Sequence, residues 1–190
     1  MTDSSILTRY AEIFENNFGG TVEKRANATT PWFCKDIQRK KALQWAGYLG
    51  ECSRMNRTLA FGLNLEFTPA WRLVYPKLRS NLSELQSLLA GLDNAEWHWD
   101  GRPGFKVRNP PTERLEEPKP PPQVDVFSWL NELDQILNQQ KLWNNGKRMR
   151  PQMQIMFVVG QPKFPLNEAQ LVRDMGKAIK RLSPLITLFQ

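Results

Sequence analysis

Leu59-Ala60-Phe61-Gly62-Leu63-Asn64-Leu65-Glu66-Phe67 is the stretch on which a reading of this chain turns. Leu59, Phe61, Leu63, Leu65 and Phe67 alternate with Ala60, Gly62, Asn64 and Glu66. A period of two is what a strand with one buried face requires. Thr68-Pro69 then supplies a cap and a first helical residue, so the strand passes directly into a helix. A second apolar run, Met153 to Val159, is short, ends in two β-branched residues and reads as a buried strand.

Working outward, helical spacing takes over. Ile6, Leu7, Tyr10, Ile13 and Phe14 define a helix over Ser4–Asn17, which Gly19 and Gly20 terminate. A second helix is expected from about Pro31 to Leu49, where Ile37, Leu43 and Trp45 recur and Pro31 suits the first turn. The helix after Thr68 is expected to break near Pro76 and resume from Ser80, with Leu82, Leu85, Leu88 and Leu89 in one stripe before Gly91. Glu96–Trp99 and Phe105–Arg108 can pair as a hairpin across Asp100–Gly104. Ser128 is positioned to cap a helix that buries Trp129, Leu130, Leu133, Ile136 and Leu137 and stops at Asn144-Asn145-Gly146. Asn167 and Gln170 form a weak capping box for a helix holding Leu171, Val172, Met175, Ile179 and Leu182. Pro184 is expected to end it, and Leu185–Phe189 to form a closing strand.

The order α-α-β-α-β-β, linker, α-β-α-β favours an α+β arrangement. It consists of a helix-rich N-terminal part with a small antiparallel sheet, a Pro-rich linker and a small α/β C-terminal part. The boundaries fall at residues 1–108, 109–123 and 124–190. The middle stretch is Asn109 to Gln123, in which six of fifteen residues are Pro. Proline removes backbone donors and enforces extended conformations, so this run reads as an exposed linker or surface arm. A docking role on an aromatic groove is the less economical reading.

Charge bounds the partners. The chain carries 26 Lys and Arg against 19 Asp and Glu, a net of +7. Residues 1–108 hold fifteen basic and eleven acidic residues, and residues 124–190 hold nine and five, so the excess is spread over both ends. Such a surplus favours polyanionic partners and says nothing of fold. The N-terminus lacks the basic start and apolar run of a signal peptide, and no stretch nears the length of a membrane span. A cytoplasmic, non-membrane protein with both cysteines, Cys34 and Cys52, reduced is the expectation.

Catalytic and cofactor signatures are sparse. Two Cys eighteen apart and one His, His98, do not make a zinc set, and no Ca²⁺-loop pattern occurs. There is no GxSxG, GxxxxGK[ST] or GxGxxG spacing, so no cofactor is implied. Gly160-Gln161-Pro162-Lys163 follows a strand and precedes a helix, where phosphate loops live, but its prolines remove donors. It reads as an ordinary connection. An enzyme would have to gather around His98, Glu96 and Asp100.

What remains is basic and aromatic. Lys35, Arg39, Lys40 and Lys41 lie near Trp32, Phe33 and Trp45, with Lys35 and Arg39 sharing a face of the expected second helix. Lys147, Arg148 and Arg150 form a second group with Lys141, and Lys177, Lys180 and Arg181 a third. Cations beside exposed rings are what a nucleic-acid surface needs, while a solvated face that keeps the protein soluble is the plain alternative. No homeodomain, RRM, KH or zinc-finger pattern accompanies them. The leading expectation is a non-enzymatic accessory protein engaging nucleic acid or a nucleoprotein assembly, with Lys35, Arg39, Lys40, Lys41, Lys147, Arg148 and Arg150 as phosphate contacts. The alternative is a protein-binding adaptor or assembly subunit whose partners read residues 112–122 or exposed Trp97, Trp99 and Trp143.

Overall fold

The structure, a computed structural model, describes residues 3–25, 32–35, 43–50, 58–65, 68–100, 120–138 and 151–189. In chain order these form α1 (Asp3–Phe18), β1 (Val22–Arg25), β2 (Trp32–Lys35), β3 (Gln44–Gly50) and β4 (Thr58–Leu65). Next come α2 (Thr68–Ser80), α3 (Leu82–Ala90), β5 (Glu96–Asp100), a 3₁₀ turn (Pro121–Gln123), α4 (Val126–Leu137), β6 (Gln152–Gly160) and α5 (Glu168–Phe189). The fold is α+β, as the pattern of elements implied. Hydrogen bonding orders the described strands β1-β2-β3-β4-β6-β5, with β1, β2 and β3 antiparallel.

The chain packs as two compact units, each drawn from segments on both sides of the Pro-rich run. The first comprises residues 1–39, 44–63 and 156–183, and the second residues 40–43, 64–155 and 184–190.

The alternation at Leu59–Leu65 becomes β4, but not with one buried face. Leu59, Phe61 and Leu63 are fully buried, and Ala60 and Asn64 of the alternate positions are buried too, because the strand is covered on both sides. α1 turns Ile6, Leu7, Tyr10, Ile13 and Phe14 inward. Tyr10 meets Phe33 of β2 edge-on at 4.9 Å, and Phe14 lies 5.6 Å from Phe33 and 5.2 Å from Phe61. Such ring pairs add about 0.5–1.5 kcal/mol each beyond the area they bury. The Tyr10 hydroxyl donates to the Ala60 carbonyl at 3.1 Å, which satisfies this buried polar group. α1 ends where Gly19 and Gly20 take φ of 73° and 86°, a conformation that glycine adopts without Cβ strain.

The helix expected over Pro31–Leu49 is overturned in the described residues at both ends: Trp32–Lys35 is β2 and Gln44–Gly50 is β3. The supposed stripe of Ile37, Leu43 and Trp45 is spaced by six and two, which is not helical, whereas Trp, Phe and Tyr suit a pleated surface. Pairing decides the matter. Phe33 lies opposite Gly47 in the antiparallel register, and a Cβ at Gly47 would land on the Phe33 ring. The missing side chain is the seat of the ring.

The second unit is built around tryptophan. Trp71 of α2 is fully buried and donates from Nε1 to the Pro151 carbonyl at 3.0 Å. Trp129 of α4 packs edge-on against Trp71 at 6.0 Å and against Trp97 of β5 at 4.9 Å, and Phe189 reaches Trp71 at 6.4 Å. Trp97, expected as an exposed partner anchor, is therefore core at 3% exposure. α2 and α4 also share a polar seam. Arg72 donates to the Leu137 carbonyl, Tyr75 bonds Asp134, and Arg79 donates to Asn131 while lying 5.7 Å over Phe127. Rising numbers on one helix meet falling numbers on the other, so the two run antiparallel.

Two prolines sit inside helices rather than ending them. α2 continues through Pro76 to Ser80, and the interruption falls at Asn81, whose φ of −121° and ψ of 37° are not helical. α5 continues through Pro184 to Phe189, so the closing strand is absent. Leu185, Leu188 and Phe189 are buried at the helical spacing that follows Leu182. Burying such side chains contributes about 1.5–3 kcal/mol each, enough to offset roughly 3 kcal/mol for an interior proline. The cap of α4 is Asp125 rather than Ser128; its carboxylate accepts from the Ser128 amide at 3.0 Å and from the Ser128 hydroxyl at 2.7 Å. Those bonds hold the Asp125 carboxyl below its ordinary pKa. α4 ends at Leu137, short of the expected stop. At the end of the Pro-rich run Pro121 is buried and its 3₁₀ turn packs on α3, so this end is not an exposed arm. Residues 105–119, including the second hairpin strand and the rest of the run, lie outside the described residues.

Two stability outcomes follow from the first unit. Gly47→Ala forces the new methyl into a ring that Tyr10 and Phe14 hold in place; the expected loss is about 1–3 kcal/mol by urea denaturation. Adding Phe33→Leu should return part of that loss, the mark of direct contact in a double-mutant cycle. Burial raises the Tyr10 pKa well above 10.0. The folded state therefore keeps Tyr10 neutral while the unfolded chain ionises, so its contribution is complete below the unfolded pKa and declines as pH rises above it. Tyr10→Phe should lose less stability than the parent between about pH 9 and about pH 11, read from urea midpoints.

Candidate functional site

The site that the fold constructs lies in the first unit, where β6 hands over to α5. A cleft of about 340 Å³, partly open to solvent, is lined by Val158, Lys163, Pro165, Asn167, Gln170 and Asp174, among others. The sequence dictates its shape locally. Pro162 sits within a three-residue turn in which the Lys163 amide donates to the Gln161 carbonyl at 2.8 Å. Pro165 follows at once, so the loop cannot join either neighbouring element. Phe164, held between Lys163 and Pro165, is 57% exposed. Val158, on β6, is 50% exposed although Phe157 and Val159 beside it are buried.

The far wall is the start of α5. Asn167 caps that helix as its spacing to Gln170 implied: its side-chain oxygen accepts the Gln170 amide at 3.1 Å, and its carbonyl accepts the Leu171 amide. Glu168 in the first turn pairs with Arg9 of α1 at 2.8 Å, both half exposed. Gly160 faces Leu171: a Cβ there would come within 2.9 Å of a Leu171 methyl, so the absent side chain lets the end of β6 approach α5 closely.

Along α5, Gln170, Asp174, Lys177 and Arg181 recur at steps of four, three and four, which puts them on one stripe of the helix. Asp174 is the acid of that stripe. It accepts from Lys177 at 3.1 Å and from Arg173 at 3.4 Å, so two cations share one carboxylate. Lys177 and Arg173 remain 66% and 61% exposed. The Arg181 guanidinium lies 5.0 Å over the Phe157 ring, a cation–π contact. Lys180 is exposed one position before it.

Of the residues expected to contact phosphates, only Lys35 stands in a described element. It ends β2, opposite Val22 of β1, and not on a helix, so the shared helical face with Arg39 does not form. Arg39, Lys40, Lys41, Lys147, Arg148 and Arg150 lie outside the described residues, as do Cys52 and Trp143. Glu96, His98 and Asp100 all fall on β5, an edge of the sheet order. Among the described residues no group of three or more His, Cys, Asp or Glu side chains could hold a metal ion, and no helix is long and apolar enough to cross a membrane.

The cleft was within reach of the sequence but was passed over. The prolines of QPKFPLN argue against an amide nest, and that argument stands, yet the same prolines present Lys163 and Phe164 to solvent. The chain matches no protein-family model, no curated protein and no solved structure. The cleft depends on the α5 cap, so Asn167→Ala should destabilise the protein by about 1 kcal/mol, with Asn167→Asp close to the parent, both measured by urea unfolding.

Proposed function

We propose that this protein is a non-enzymatic accessory protein that engages nucleic acid, or a nucleoprotein assembly, through basic surface and without base-specific readout. The observation that carries the reading is the run of cations on α5. Arg173, Lys177, Lys180 and Arg181 occupy nine residues of one helix, with Asp174 the one acid among them. A carboxylate shared by two cations lowers the local charge without cancelling it. Cations on a rigid helix keep fixed spacing, which suits them to a regular polyanion better than to a compact ligand. The overall charge of +7 supports the same partner class. In this reading Lys35, Arg39, Lys40, Lys41, Lys147, Arg148 and Arg150 add further phosphate contacts.

The consequence is electrostatic and measurable. Binding of a fluorescein-labelled mixed-sequence oligonucleotide should weaken steeply between about 50 and about 200 mM salt, because each phosphate contact releases counterions. Lys177→Gln with Lys180→Gln should reduce the slope of log affinity against log salt by about 2. A parent protein whose affinity stays flat over that salt range would refute the proposal.

A further inference from the structure

We infer that the β6–α5 cleft binds a free α-amino acid with an aliphatic side chain, its carboxylate held by Lys163 and the start of α5 and its ammonium by Asp174.

Opposite charges line this cleft without meeting. Lys163 belongs to its loop wall and Asp174 to its helix wall, and among the described residues Lys163 has no ion-pair partner. Asp174 spends one oxygen on the protein. Arg173 and Lys177 both donate to Oδ1, and among the described residues nothing donates to Oδ2. Asn167 uses its side-chain oxygen on the helix cap but not its amide hydrogens, and the side chain of Gln170 has no partner among the described residues. An ammonium, a carboxylate oxygen and two amides with unused hydrogen-bonding capacity thus line one cleft. A few polar groups around apolar walls are what fixes a small molecule in place.

Their order along α5 sets the direction of the ligand. Asn167, Gln170 and Asp174 follow at steps of three and four, so they share one face of the helix. From Asn167 to Asp174 the helix rises about 10 Å. Side chains lean toward the helix N-terminus, which shortens the gap between Asp174 and the cap. The remaining span suits one short dipolar molecule with a hydrogen bond at each end. The positive end of the α5 dipole lies at Asn167 and favours a carboxylate there, and Lys163 of the same cleft adds a full positive charge. The ammonium is then left to Asp174. A phosphate would meet Asp174 as a like charge, and a simple amine would leave Lys163 unmatched.

The walls between these ends are apolar. Val158, Val159, Pro165 and Leu171 line the cleft, and Val159 and Leu171 are buried, held close by the absent side chain of Gly160. They present a fixed surface to an aliphatic side chain. A volume of about 340 Å³ stands at the low end of small-ligand sites, which favours a molecule of amino-acid size.

The test is isothermal titration calorimetry on the full chain with L-leucine, isocaproate, isopentylamine and ε-aminocaproate. L-Leucine should bind. The other three lack the ammonium, lack the carboxylate or set the two too far apart, and each should bind at least about 10-fold more weakly. Lys163→Gln and Asp174→Asn should each weaken L-leucine by about 10-fold or more, with the far-UV circular dichroism unchanged, since surface ion pairs contribute little to stability. If L-leucine does not bind, if any analogue matches it, or if both variants bind it as the parent does, the assignment is overturned. Oligonucleotide affinity is titrated separately, so the outcome leaves the polyanion reading to its own test.

Discussion

The ring of Phe33 occupies the volume that any side chain at position 47 would need, and the first unit is organised by that substitution of space. β2 and β3 can pair in only the register that puts Phe33 over Gly47, because a slip of one residue would send the ring to the other face of the sheet. The same ring receives Tyr10 and Phe14, so the register of two strands also fixes where α1 docks. Tyr10 then reaches across to the carbonyl of Ala60 on β4, which ties the helix to the strand whose alternation is clearest in the chain. A helix, two short strands and a long one are thus held by one aromatic position and one absent side chain.

The second unit solves its burial problem differently. Three tryptophans, Trp71, Trp97 and Trp129, provide most of the large surface, and the indole of Trp71 satisfies its one donor on a backbone carbonyl. The seam between α2 and α4 is polar where it meets water, with Tyr75 bonded to Asp134 and its hydroxyl pKa raised by partial burial and by that carboxylate. Both helices that hold an internal proline bury apolar side chains beyond it: Leu78 in α2, and Leu185, Leu188 and Phe189 in α5. Packing of those side chains outweighs the one lost amide bond.

The end of β6, the proline-framed loop and the start of α5 enclose a cleft in the first unit, and a line of cations runs along α5. Asp174 gives that line its character: by pairing with Lys177 and Arg173 it orders their side chains and lowers the density of positive charge.

The sequence by itself determined the elements whose signal is carried by adjacent residues. The period-two run at Leu59–Leu65, the apolar strand around Met153–Val159, the amphipathic face of α1 with its double-glycine stop, and the Asn167 cap of α5 were all legible, since each obeys a local periodicity or a local hydrogen bond. The α+β class followed from their order. Tertiary structure alone decided that residues 32–35 and 44–50 are strands, because the partner that makes Gly47 acceptable there is a ring fourteen positions away. It also decided that α5 passes through Pro184, where burial of Leu185, Leu188 and Phe189 prevails over a local rule, and that Trp97 is core while Phe164 is surface. Trp97 and Phe164 are both aromatic residues beside polar ones; which of them meets water depends on what packs against it, and no local pattern encodes that.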